Sequence, residues 1–98
     1  MIQNISMDDF LKIKEKINII DIRSIQNYNN NHIPGAINID ASKLISNPSE
    51  YLNPVLKYYI YCQKGITSRK VCQILSNYGY KVTNIVGGYE EWIIKKDN

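Results

Sequence analysis

A chain of 98 residues with 44% hydrophobic and 21% charged residues has the composition of an ordinary folded domain and is long enough for one hydrophobic core, not two. Its net charge of +3 comes from lysines spread along the chain, with a short cluster at Lys95 and Lys96, which argues against a nucleic-acid partner and leaves room for a small anionic substrate. No apolar run approaches the roughly 20 residues needed to cross a bilayer and no basic-then-apolar leader opens the chain, so no membrane contact is expected and the expected compartment is the cytoplasm.

In chain order, Ser6 to Lys16 reads as a short helix, with Ser6 as cap, Asp8 and Asp9 in the first turn and Phe10, Leu11 and Ile13 as the apolar positions. Ile17 to Ile22 is a nearly continuous β-branched run, as a strand buried on both faces would be. Ser24 to Asn31 suggests a second short helix, and the Pro34-Gly35 turn leads into a brief strand from Ala36 to Ile39. Ala41 to Pro54 reads as irregular, with one helical turn near Lys43 to Ile45.

Lys57 to Tyr61 is a strong strand of aromatic and β-branched residues that ends at Cys62. Val71, Ile74, Leu75 and Tyr78 recur at i, i+3, i+4 and i+7, which predicts a helix from about Ser68 to Asn77 with that face buried and Gly79 as its stop. Lys81 to Val86 makes a further strand, Gly87-Gly88 a turn, and Tyr89 to Lys96 a closing helix carrying Trp92. Strands alternating with helices predict an α/β domain with a largely parallel sheet and helices on both faces.

In such sheets ligands bind beyond the carboxyl ends of the strands, where a loop enters a helix. Cys62 stands at such a point, followed by Gln63, Lys64, Gly65, Ile66, Thr67, Ser68 and Arg69. Gly65 is free to bend the loop so that backbone N–H groups converge on the sulfur. A helix N-terminus and the cations Lys64 and Arg69 would favour the thiolate, which is the nucleophilic form. The hydroxyls of Thr67 and Ser68 are placed either to cap the helix or to donate to sulfur, and the sequence leaves both open. A buried inert thiol is the commoner state of a lone cysteine, but these neighbours favour a reactive one. Cys72, inside the helix beside Val71 and Ile74, reads as a small core residue. Two cysteines in a reducing compartment are expected as free thiols, and the ligand-type residues are too few and wrongly spaced for zinc.

Three segments resemble the rhodanese family of sulfurtransferases. Cys62-Gln63-Lys64-Gly65-Ile66-Thr67 is similar to the family's Cys-Arg-Lys-Gly-Val-Thr loop, with Gln63 in place of the first Arg. Upstream, Asp21-Ile22-Arg23 and His32-Ile33-Pro34-Gly35-Ala36 resemble its Asp-x-Arg and Gly-His-Ile-x-Gly-Ala signature. Here Asn31 replaces the glycine, and Asn27 stands where a Glu often pairs with the arginine. Downstream, Gly87-Gly88-Tyr89-Glu90-Glu91-Trp92 resembles the closing Gly-Gly-x-x-x-Trp. The resemblance implies one domain over 1–98, with a core at about 5–96 and a sheet of about five strands.

It also implies an activity: sulfane sulfur taken from thiosulfate or another small anionic donor onto Cys62 as a persulfide, then passed to a thiol, including a protein thiol, or to cyanide, with no cofactor or metal. Residues 63–69 would hold the donor. Asp21 and His32 are read as structural, with local partners. Two other readings compete. A non-catalytic interaction or sulfur-carrier module would keep the fold, although the intact cysteine favours chemistry. A phosphatase or arsenate reductase would need Cys-x5-Arg, and Arg69 comes one position too late. Gln63 removes a cation, so weak affinity for thiosulfate is expected.

Overall fold

A computed structural model describes residues 2–13 and 16–97. Five parallel strands, β1 (Gln3–Ile5), β2 (Asn18–Asp21), β3 (Ala36–Asn38), β4 (Lys57–Tyr61) and β5 (Lys81–Ile85), form one sheet in the order β1-β5-β4-β2-β3. Among the described residues there are six helices, five between strands and the last after β5: α1 (Met7–Leu11), α2 (Ile25–Asn30), α3 (Ala41–Ser46), α4 (Pro48–Tyr51), α5 (Ile66–Asn77) and α6 (Gly88–Lys95). The strand with neighbours on both sides and at the centre of this order, β4, delivers Cys62.

Side chains alternate across the strands and divide the core in two. Ile20, Tyr58, Ile60 and Val82 pack with Leu44 of α3 and with Val71, Cys72 and Leu75 of α5. Ile19, Tyr59, Tyr61 and Ile85 face the other way, onto Met7 and Phe10 of α1 and Trp92 of α6. Helices therefore cover both faces, and Cys62 continues the parity of Tyr58 and Ile60 toward α5.

The structure departs from sequence expectation at places where tertiary contacts override local pattern. β1 was not anticipated; it is a three-residue edge strand, Gln-Asn-Ile, whose order comes from its register on β5, Gln3 opposite Thr83 and Asn4 opposite Asn84. α1 ends at Leu11, earlier than expected, with Ser6 Oγ accepting from the Asp9 amide at 3.1 Å; residues 14 and 15 of the expected helix lie outside the described ones. Residues 41–51, expected to be irregular apart from one helical turn near Lys43 to Ile45, form two helices, the first of which contains that turn. Asp40 caps α3 by accepting from the Lys43 amide, and Pro48 occupies the first turn of α4.

α5 starts two residues before the expected Ser68, at Ile66, and its buried face is Ser68, Val71, Cys72 and Leu75. Ile74 and Tyr78 are exposed, at 36% and 67%, so the apolar face is rotated from the one their spacing predicted. A serine occupies the position nearest the sheet's polar end. Gly79 terminates the helix as anticipated: at φ +93° it lets its own amide bond Ser76 O and the Tyr80 amide bond Leu75 O.

Candidate active site

The Cys62 sulfur accepts hydrogen bonds from two backbone amides, Gly65 N and Ser68 N, each at 3.2 Å. The amides come from the N-cap Gly65 and from Ser68 in the first turn of α5, a helix with no side-chain cap of its own. Orphan donors at a helix start normally go to a capping oxygen; here the sulfur takes that place. Thr67 and Ser68, expected as caps or sulfur donors, sit inside the helix, so neither is a cap. Ser68 Oγ is 3.3 Å from Sγ, and its own hydroxyl donates to Asn84 Oδ1 at 2.6 Å. Asn84 in turn donates from Nδ2 to Asn4 Oδ1 at 3.1 Å. A polar chain thus runs from the buried sulfur out to the exposed Asn4 on the edge strand, and Asn4 and Asn84 adjoin the site although no sequence signal marked them.

Two close approaches shape the loop. Gly65 has φ +90°, and a Cβ there would fall 2.8 Å from Gly87 N. A Cβ on Gly88, at φ +61°, would fall 2.3 Å from the Cys62 carbonyl oxygen. The glycine pair exists so that the start of α6 can sit against the loop, where Tyr89 N donates to Cys62 O at 2.9 Å and Glu90 N to Gln63 O at 3.0 Å. The carbonyls of the loop are drawn toward α6, which leaves its amides free to turn to the sulfur.

On the other side, Arg23 closes the corner between β2 and α2. Its Nε and Nη2 hold the Asp21 carboxylate, the shortest contact being 2.8 Å, and Nη2 also donates to Asn31 O at 2.6 Å. The guanidinium lies 4.0 Å from the Tyr89 ring centroid and donates to Gln63 Oε1 at 3.3 Å. Tyr61 OH donates to Asp21 at 2.6 Å and accepts from the Ile33 amide at 3.0 Å. Burial alone works against the Arg23 charge, but the hydrogen bonds and charge of Asp21 outweigh it and hold the guanidinium's pKa above its ordinary value. Burial, reinforced by the hydrogen bond to Asp21, likewise raises the Tyr61 phenol. The missing partner at Asn27 is therefore replaced from within the Asp-x-Arg segment. His32 stacks on Tyr28 at 3.8 Å, its Nδ1 2.9 Å from Tyr28 O, so both His32 and Asp21 are occupied locally.

Cys62 is 7% exposed, and it opens into a pocket of about 370 Å3 lined by Ile22, Arg23, Ser24, Asn27, Gln63, Lys64, Ile66 and Thr67. Of the candidates from the sequence, Gln63, Lys64, Ile66 and Thr67 meet the sulfur's pocket, while Gly65 and Ser68 meet the sulfur by their amides. Arg69 does not line this pocket; it borders a separate hollow across the loop. Because Asp21 offsets the Arg23 charge, Lys64 is the one unpaired cation among the described residues lining the pocket. Cys72 is wholly buried, and desolvation, then the charge of Cys62, pushes its thiol up to about 12. Both cysteines are free thiols, and no cluster of metal-ligating side chains occurs among the described residues.

Comparison with known proteins agrees with the fold. The family model described as Rhodanese-like domain matches residues 6–95. A protein from Coxiella burnetii named thiosulfate sulfurtransferase GlpE is 37% identical over 82 residues, 81% of this chain and 74% of that one. The putative sulfur carrier protein YrkF of Bacillus subtilis is 33% identical over 84 residues; these are 85% of this chain but only 45% of that protein's length. Among solved structures, one from Staphylococcus saprophyticus superposes with a TM-score of 0.81 at 30% identity, covering 93% of both chains. The human single-domain sulfurtransferase TSTD1 gives 0.80 at 25% identity, covering 94% of this chain and 96% of that one.

Proposed function

The chain belongs to the rhodanese-like domain family, and from that premise we propose that it moves sulfane sulfur through a persulfide on Cys62. The Cys62 thiolate attacks the outer sulfur of a donor such as thiosulfate. A new S–S bond forms, the donor's own S–S bond breaks, and sulfite leaves with that electron pair. A thiolate or cyanide then attacks the terminal sulfur of the persulfide, and Cys62 departs as thiolate. The two amides on the sulfur supply fixed donors for the anion at each end of this cycle, without reorganisation at the moment of reaction.

The observation that carries the reading is the pair of amides at 3.2 Å on a cysteine that opens into a pocket. The pocket is poor in positive charge, with Lys64 alone unpaired, so thiosulfate binds weakly and a less charged persulfide donor is used better. Incubation with thiosulfate followed by intact-mass measurement should show the gain of one sulfur atom, and Cys62→Ser should show none; transfer that survives the substitution would defeat the assignment.

A second reading, a cytoplasmic carrier that is loaded and unloaded by partners without turning over on its own, is favoured by the likeness to YrkF, named a putative sulfur carrier. Multiple-turnover thiocyanate production from thiosulfate and cyanide separates the two: a carrier loads once and stops. Within the described residues no helix is long and apolar enough to cross a membrane.

A further inference from the structure

Across the active-site loop from the Cys62 pocket lies a second hollow, of about 460 Å3, whose walls include Lys64, Ile66, Arg69, Lys70 and Val86. Three cations face it and no carboxylate lines it. None of the three is in an ion pair among the described residues, whereas Lys12, Lys95 and Lys96 each hold an acid nearby. Between the cations, Ile66 is 62% exposed and Val86 46% exposed, two apolar side chains set side by side with the basic groups of the hollow. Lys64 and Ile66 also line the Cys62 pocket, so the segment from Lys64 to Ile66 is a low ridge with the nucleophile on one side and the basic hollow on the other.

We propose that this hollow is the docking surface for a protein acceptor of sulfur whose thiol lies within an acidic segment carrying an aliphatic side chain. The inference rests on the sulfurtransferase reading and names its acceptor class. A thiol entering the Cys62 pocket lays its flanking residues across the ridge. Acidic groups there meet Lys64, Arg69 and Lys70, and an aliphatic side chain covers Ile66 and Val86. Charge complementarity of this kind acts mainly on encounter rate and orientation and is screened by salt. A nucleic acid fits less well: no aromatic ring lines the hollow to stack a base, and two apolar residues interrupt the cations.

The probes are synthetic peptides of one length with a single cysteine, flanked by Glu and Leu, by Gln and Leu, or by Lys and Leu. With persulfide-loaded protein at low ionic strength, the acidic peptide should be sulfurated about tenfold faster than the neutral one, a gap that closes at high salt. Lys70→Glu should erase most of the preference and Val86→Ser part of it, while transfer to cyanide stays unchanged, since neither residue borders the Cys62 pocket. Equal rates for acidic and neutral peptides would overturn the proposal, as would tighter competition by a single-stranded oligonucleotide. Binding is read separately by amide chemical shifts with the acidic peptide carrying Ser in place of Cys. Perturbations centred on residues 64–70 and 86 are expected; their absence defeats the docking surface even if sulfur transfer is intact, and their presence upholds it even if transfer fails.

Discussion

Cys62 and Cys72 are both buried in the same half of the core, at 7% and 0% exposure, and yet their surroundings are opposite. Two amides and a hydroxyl surround the sulfur of Cys62. Cys72 is held within a helix among apolar side chains, and burial keeps its thiol protonated up to about 12. The difference teaches that burial alone does not define a thiol's environment: fixed dipoles replace the water lost around Cys62, and apolar side chains take its place around Cys72.

The contrast can be broken most directly by alkylation. Iodoacetamide on the native protein should modify Cys62 within minutes, while Cys72 should react only through unfolding, slower by about 10³-fold or more; mass mapping of the labelled peptides is the check. Comparable rates would mean that the two environments are not distinct.

The next largest effect should come from Gly88→Ala. A methyl group there drives into the Cys62 carbonyl and demands a left-handed backbone from alanine, so a loss of about 2–4 kcal/mol is expected, together with loss of the loop's grip on the sulfur. Urea denaturation measures the first and the persulfide yield the second.

A smaller effect separates Cys72 by pH. Its thiol titrates higher in the folded than in the unfolded chain, so the folded state keeps a proton that the unfolded state releases from about pH 9 upward. Stability should therefore fall as pH rises from about 9 to 12, by about 1.4 kcal/mol per pH unit at most. Cys72→Ala should flatten the early part of this slope, leaving the loss due to Tyr61, whose phenol is likewise raised by burial. Denaturation midpoints at pH 8 and pH 10 test this, and an unchanged slope in the variant would contradict it.

The smallest effect concerns Asn84. In the present arrangement the Ser68 hydroxyl donates to Asn84, not to the sulfur. Asn84→Ala releases that proton to the sulfur and should speed alkylation of Cys62 at neutral pH by about threefold. The acceleration should vanish in the Ser68→Ala background; persistence there would show that the hydroxyl is not the route.

Much of this was legible in the residues themselves. The apolar runs at 17–22 and 57–61 locate β2 and β4, two of the three interior strands, and strand-to-helix context singles out Cys62 over Cys72. The stop at Gly79 and the turn at Gly87 are legible because backbone freedom is a property of the residue itself, although Gly88, expected in that turn, already belongs to α6. By contrast, the buried face of α5 was misplaced because Ile74 and Tyr78 match the helical period yet point to solvent, and a serine takes the inner position in order to reach Asn84. The short edge strand β1 carried no alternation, since its order is supplied by β5.

The sequence by itself determined an α/β chain with a cysteine placed where a strand gives way to a helix, because periodicity and turn chemistry are local and survive in a linear string. Only the tertiary structure decided that Gly88 presses on the Cys62 carbonyl, that Asp21 supplies the partner of Arg23, and that Asn4 and Asn84 extend the sulfur's polar chain. Gly88 and Cys62, and Asn4 and Asn84, are far apart in sequence and meet only through the packing of the sheet, while Asp21 and Arg23, two residues apart, are held together by the turn that buries both.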